Sequence, residues 1–289
     1  MACPYAHGPP LNTDIAGIGV RVSFYVQNLC LFYLSGNADS MYTLMLTITS
    51  MAVTSLILSL RPEPDITFHD GLVISYLLGF SVLSLFFFIS DRPMVRVVFI
   101  LQNCAVSVFT LVLWITAKTF GSTPACNANA FIFLFTPIHA LKPGRIISLV
   151  FAGLGAFGVA FSVLGLCIFV IALFCGACCS KAVDDPEDSQ APDNSSIASS
   201  AVISVPWIQH AILTAQALLW TSSVVNTELL IHFNHFALPD GQRSPWQFGQ
   251  ILPMFLTIIS LRSVYKAWRG EDAASPTRSP PPLPPVRRM

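Results

Sequence analysis

Charge is what this sequence has least of. Lysine, arginine, aspartate and glutamate make up 10% of its 289 residues, against about 25% in soluble domains, and that scarcity excludes a soluble fold. The 15 basic and 15 acidic side chains cancel, so no strongly basic surface suits nucleic acid. A disulfide framework is absent too, because the eight cysteines are scattered without a repeating spacing. Met1 to Pro10 is proline-rich and lacks the apolar core of a cleavable signal, so the first span is expected to serve as the insertion signal. The apolar residues come in long runs instead of alternating dyads, which argues against a membrane β-barrel. No nucleophile–base set, phosphate loop or cofactor motif is visible, so the chain is not expected to be an enzyme or to carry a cofactor.

What the sequence does have is hydrocarbon. Hydrophobic residues reach 54%, the mean hydropathy is +0.66, and apolar runs of the length needed to cross a bilayer as a helix recur along the chain. The predicted fold class is all-α, a polytopic transmembrane bundle of seven spans. The spans fall at about 16–34, 41–60, 71–90, 94–117, 146–174, 205–231 and 247–266, with ends uncertain by a few residues. Residues 1–15 form a short extracytoplasmic amino terminus, 16–269 the membrane domain and 270–289 a tail rich in Pro and Arg. Acidic, serine-rich residues 181–200 and the tail cannot build a core and are expected to be disordered. The run Phe131 to Phe135 is too short to span and is expected to cap the bundle or lie at the interface.

Loop charges give an orientation. With seven spans, Arg92, Arg96, Lys181, Arg262, Lys266, Arg269, Arg278, Arg287 and Arg288 flank one side, against Arg61, Lys118, Lys142, Arg145 and Arg243 on the other. Nine against five predicts a cytoplasmic carboxyl terminus and an outside amino terminus. Cys3 and Cys126 then share the outer side, where a disulfide between them is possible.

Polar residues inside the spans are the candidates for function. Arg21 lies inside the first span, where an arginine at mid-bilayer costs roughly 2.5–3.5 kcal/mol and needs a partner. Asn28, seven residues on, faces the same way. Span parity puts Glu228, near the end of the sixth span, at the depth of Arg21, with Gln247 and Gln250 opening the seventh. Gln216, Ser223 and Thr227 share a stripe of the sixth span. The predicted polar seam is therefore Arg21, Asn28, Gln216, Glu228 and Gln250, either an ion pair and amide network that fixes helix packing or part of a ligand or ion pathway. Asp14 is the rival partner for Arg21.

The stretch Asp14-Ile-Ala-Gly-Ile-Gly-Val-Arg21, followed by an aromatic and Gln27, and the stretch Trp246-Gln247-Phe248-Gly249-Gln250-Ile251 bracket the spanning region. Together they resemble a large group of uncharacterised fungal multi-pass integral membrane proteins. The resemblance implies a multi-pass fold and carries over no catalytic residue.

Other motifs are weaker. His232 and His235 are spaced to share a metal if His69 and Asp70 converged on them, with solvated interfacial histidines the simpler reading. Asp91-Arg92 follows the third span as an acid–arginine pair does in rhodopsin-like receptors, but Pro93 follows at once and the last span lacks their Asn-Pro…Tyr pattern. Ala152, Ala156 and Ala160 allow close helix packing in the fifth span. Cys175, Cys178 and Cys179 end that span as candidates for palmitoylation. In the tail, Arg278, Pro281 and Pro284 fit one orientation of a Src-type proline-recognition ligand, and Pro282, Pro285 and Arg287 the other. The expected partners are the lipid bilayer and a proline-recognition domain. The expected function is a transporter- or channel-like bundle using the polar seam, with a seven-span sensor or scaffold presenting its tail as the alternative.

Overall fold

The computed structural model describes residues 3–5, 8–34, 38–87, 93–134, 136–180, 206–234, 236–237 and 248–269. The acidic segment at 181–200, the carboxyl-terminal tail with Arg278, Pro281, Pro284, Pro285 and Arg287, the pair Asp91-Arg92, and His235 lie outside them. So do the side chains of Cys175, Cys178, Cys179 and Gln250.

The order is β1 (Gly8–Pro10), α1 (Thr13–Ala16), α2 (Ile18–Tyr33), α3 (Ala38–Ser59), α4 (Phe68–Phe86), α5 (Pro93–Ile115), a 3-10 turn (Pro124–Asn129), β2 (Phe131–Leu134), β3 (Thr136–His139), a π turn (Ala140–Gly144), α6 (Arg145–Ser180), α7 (Pro206–Asn234), β4 (Phe236–Ala237) and α8 (Phe248–Arg269). Five stretches, Thr13–Tyr33, Asp39–Ser59, Phe68–Phe86, Met94–Ile115 and Ala140–Ile168, are long and apolar enough to cross a membrane. The helices α7 and α8 are of comparable length, 29 and 22 residues.

Helix starts are set by local chemistry. Asn12 caps α1 by accepting a hydrogen bond from the Asp14 amide at 3.1 Å. Gly17 then breaks the helix, and α2 restarts with the Arg21 amide donating to the Gly17 carbonyl. Thr67 and Asp70 form a reciprocal capping box at the head of α4. The sequence pattern places that span from about 71, but the capping box draws the helix back to Phe68.

The buried core lies between α2, α3, α4 and α5, around Phe24, Leu31, Met45, Ile48, Leu77 and Phe109. In the bundle α2 is central and touches α3, α4, α7 and α8, while α4 also packs on α7 and α3 on α5. The outlier is α6, which leans on α5 and is little buried as far as Ile168. Its side chains are apolar on every face, as suits a helix solvated by lipid. Of the three spaced alanines only Ala152 is buried, and Ala160 is exposed.

At one end the connections weld into a cap. Cys3 and Cys126 are disulfide-bonded. The strand β1 pairs with β4 in parallel, and β2 with β3 as a hairpin, so the short run at 131 forms part of this cap. Buried Asp70 accepts from the Asn12 amide at 3.0 Å and from both the amide and the hydroxyl of Thr67. Asn127 donates to the carbonyls of Ala117 and Phe120. Asn234, at the end of α7, bonds both backbone groups of Phe131. Gly121 has φ of 78°, and a Cβ there would sit 2.3 Å from the Ile66 carbonyl oxygen. Glycine is therefore what lets the 116–122 turn close against the strand-like residues before α4.

Candidate functional site

The predicted polar seam divides into separate contacts. Arg21 is buried on α2 and donates to a carboxylate oxygen of Glu228 on α7. The Tyr25 hydroxyl, one turn below Arg21, donates to the other carboxylate oxygen at 2.9 Å. The indole of Trp220 donates to the Tyr25 carbonyl at 2.9 Å, fixing the same helix pair about two turns before Glu228 on α7. The pair is lopsided, because the Arg21 side chain is 10% exposed and that of Glu228 46%. The carboxylate therefore lies at the edge of the bundle and the guanidinium inside it.

Asn28 and Gln216 do not join that pair. Asn28 donates to Ser81 on α4 and to the Phe24 carbonyl, both at 2.8 Å. Gln216 donates to the Ser84 carbonyl on α4 at 3.0 Å. The reason is geometric: α4 packs against both α2 and α7, so the lower halves of those helices bond α4 instead of each other. Among the residues of the seam with described side chains, only Arg21 and Glu228 bond one another.

A further polar contact lies on the other side of α2. The Gln27 carboxamide accepts from Thr47 of α3 at 2.9 Å and donates to Thr257 of α8 at 3.3 Å and to the Pro253 carbonyl at 3.5 Å. Pro253 sits inside α8 and removes one helical hydrogen bond there. Its carbonyl also accepts from Thr257 at 3.0 Å. Among the described residues, buried Gln102 of α5 has neither amide atom hydrogen-bonded, and the hydroxyl of Ser260 on α8 is likewise unpaired.

His235 of the predicted metal set lies outside the described residues. His69 is buried with its ring edge-on to Phe236, and His232 is exposed against Phe233. Among the described residues no group of three or more His, Cys, Asp or Glu is placed to hold a metal ion.

A cavity beside α6 was not anticipated. It measures about 750 Å³ and runs between α4, α5 and α6, within the range of small-molecule sites. Its floor is one face of α5, carrying Arg96, Phe99, Asn103, Ser107, Thr110 and Trp114. One wall is α4 from Ser75 to Phe86, and the other is α6 from Ile147 to Ser162. It exists because α6 meets α5 while presenting Ser148, Ala152, Gly155 and Gly158 toward the gap. A Cβ built on Gly79, Gly155 or Gly158 would meet nothing within 4 Å.

The cavity is roofed at the cap. Ile132 of the hairpin closes it, and Tyr76 of α4 holds the hairpin by donating to the Phe133 carbonyl at 2.6 Å and accepting from the Phe133 amide at 3.0 Å. Arg145 donates to the carbonyls of Trp114 and Ile115, tying the head of α6 to the end of α5. Polar wall residues mostly turn back on their own helices. Ser75 bonds the Leu72 carbonyl, Asn103 that of Phe99, Thr110 that of Val106 and Ser162 that of Gly158. Four polar side chains of the wall thus direct a donor to their own helix. One sequence signal pointed here, the polar stripe Asn103, Ser107 and Thr110 at helical spacing on an otherwise apolar span.

No known protein family, curated protein or solved structure matches the chain.

Proposed function

We propose that the chain is a seven-span integral membrane protein of the sensor class that takes a membrane-borne, apolar ligand laterally into the groove between α4, α5 and α6. The observation that carries this reading is the groove itself, lined mostly by apolar side chains, with Ser75, Asn103, Thr110 and Ser162 each donating to a carbonyl of its own helix. A water-soluble solute would find little to bind there, whereas hydrocarbon would. The amino terminus is outside and the tail cytoplasmic. The excess of Lys and Arg on the tail side supports this orientation, as does the Cys3–Cys126 disulfide, since such bonds persist in oxidising compartments. The tail residues Arg278, Pro281, Pro284, Pro285 and Arg287 would pass the signal to a proline-recognition domain.

The test is thermal. A ligand that binds only the folded state raises the melting temperature. Purified full-length protein in detergent should melt higher when a total lipophilic extract of its host membrane is added. Gly155→Leu, which fills open space in the groove, should melt normally without extract and gain nothing from it. No gain for the wild-type protein, or an undiminished gain for the variant, rejects the reading.

A carrier reading draws on a different observation, the Gln27–Thr47–Thr257 contact beside Pro253 of α8. Interrupted helices with freed carbonyls line the solute sites of many transporters. Thr47→Cys and Thr257→Cys decide it. Reaction of either thiol with a water-soluble thiosulfonate reagent supports a solvent path through the bundle, and protection of both rejects one.

A further inference from the structure

We propose that bound water occupies the seam between α2, α3 and α8, held by the hydroxyls of Ser40 and Ser260. The inference rests on the seven-span topology proposed above and on neither of its ligand readings. Enclosed water needs no path through the bundle, so the carrier reading can fail without it.

Two polar stripes line the seam. Ser40, Thr43 and Thr47 follow one another at three- and four-residue steps on α3, and Pro253, Thr257 and Ser260 at four- and three-residue steps on α8. Each set therefore keeps to one face of its helix. The side chains of Ser40, Thr43, Thr47, Thr257 and Ser260 are all buried. Gln27 of α2 joins the stripes by bonding Thr47 and Thr257 at once. In the proposed topology α3 and α8 are the second and seventh spans and run in opposite directions. Counting both ways from the Gln27 link brings Ser260 level with Leu44, beside Thr43. Ser40 lies one turn further on, about 6 Å along the helix.

Most hydroxyls of the seam are spoken for. Thr43 donates to the Asp39 carbonyl at 2.7 Å and Thr257 to the Pro253 carbonyl at 3.0 Å, while Thr47 serves both the Thr43 carbonyl and Gln27. Ser40 and Ser260 differ. Each is 1% exposed, and neither hydroxyl has a hydrogen-bond partner. A buried hydroxyl left unbonded is costly, and hydrocarbon around the bundle offers it nothing. Enclosed water is the usual remedy, since one molecule bonds about three such groups. An ion is a poorer fit. The side chains of the two stripes and Gln27 are uncharged, so an ion would lose its hydration with no counter-charge beside it. Water asks only for donors and acceptors, and a hydroxyl is both.

Two measurements on full-length protein test the proposal. In detergent, Ser40→Ala and Ser260→Ala should each lower the melting temperature, because each deprives a bound water of a partner. Ser263→Ala, whose hydroxyl bonds the Ile259 carbonyl instead, should leave it unchanged. In hydrated vesicle films, the infrared difference between wild-type protein and Ser260→Ala should contain a water O–H stretching band that the variant has lost. That band should move when ordinary water is exchanged for heavy-oxygen water, an exchange that leaves the serine hydroxyl itself untouched. A melting temperature of Ser260→Ala at or above that of the wild-type protein overturns the proposal, because removing a bare hydroxyl relieves a cost. A difference spectrum indifferent to heavy-oxygen water overturns it as well, whatever the melting curves show.

Discussion

At the scale of single residues, the buried Arg21 decides more than any other side chain. Its carboxylate partner Glu228 lies six residues before the end of α7, about 9 Å along the helix, and is half exposed. The two members of the pair therefore respond differently to removal. Glu228→Gln leaves a guanidinium inside the bundle with no counter-charge and should cost about 3 kcal/mol. Arg21→Met leaves a carboxylate that can turn outward, and solvent screening reduces its penalty to about 1 kcal/mol. Tyr25→Phe removes one hydrogen bond to a charged group and should cost about 1–2 kcal/mol. The double exchange Arg21→Glu with Glu228→Arg should recover part of either loss. Detergent melting curves of the four proteins check the ranking, and equal losses for Arg21→Met and Glu228→Gln would show that exposure does not set the asymmetry. Gly121 poses a steric question instead. With φ of 78° and the Ile66 carbonyl in the way, Gly121→Ala should destabilise the cap by about 1–3 kcal/mol, read as a lower melting temperature with the helix content of the native state unchanged.

At the scale of elements, what was legible in the sequence depended on the length of the signal. The apolar runs of α2 to α6 are long and are apolar enough to cross a membrane as helices. Their ends were less clear because caps are short-range. The Thr67–Asp70 box uses an aspartate where glutamate is the usual third residue, so it gave a weak boundary. Opposite charges at matched depth made Arg21 and Glu228 legible as a pair, since few charges compete inside the spans. The bonding of Asn28 and Gln216 to α4 was not legible, because Ser81 and a Ser84 carbonyl carry no mark that distinguishes them from any other serine in a membrane helix. The β2–β3 hairpin was hidden for a similar reason, four apolar residues being compatible with several structures. Its anchor is Tyr76, whose hydroxyl makes two bonds with Phe133. Tyr76→Phe should cost about 1–3 kcal/mol and raise the hydrogen-exchange rate of the Phe133 amide, with α3 and α7 unaffected. An unchanged rate at Phe133 would mean that the hairpin stands without this latch.

At the scale of the whole molecule, the cap and the groove impose a direction on the chain. The disulfide joins the amino-terminal segment to the connection after α5 across 123 residues of sequence. Four further contacts draw in the connections before α4, before α6 and after α7: β1 with β4, Asn12 with Asp70, Asn234 with Phe131, and Arg145 with Trp114. In the proposed topology everything tied together there lies on one side of the membrane, and a disulfide there fits an oxidising side. The opposite end carries Arg96, and the positive-inside rule supports a cytoplasmic place for it in the proposed topology. Two unrelated arguments, one from redox chemistry and one from charge, thus support the orientation proposed above. Thiol labelling tests it directly. In intact cells a membrane-impermeant maleimide should leave Cys3 and Cys126 unlabelled until an impermeant reductant is added, and label both afterward. Cysteine placed at Arg96 in a chain lacking Cys3 and Cys126 should resist the same reagent until the membrane is permeabilised. Loss of the bridge should also lower stability by about 2–4 kcal/mol, so the labelling is read at a temperature where the reduced protein stays folded. Labelling of the residue at 96 in intact cells, together with protection of reduced Cys3, would invert the molecule and place the open end of the groove at the outer leaflet.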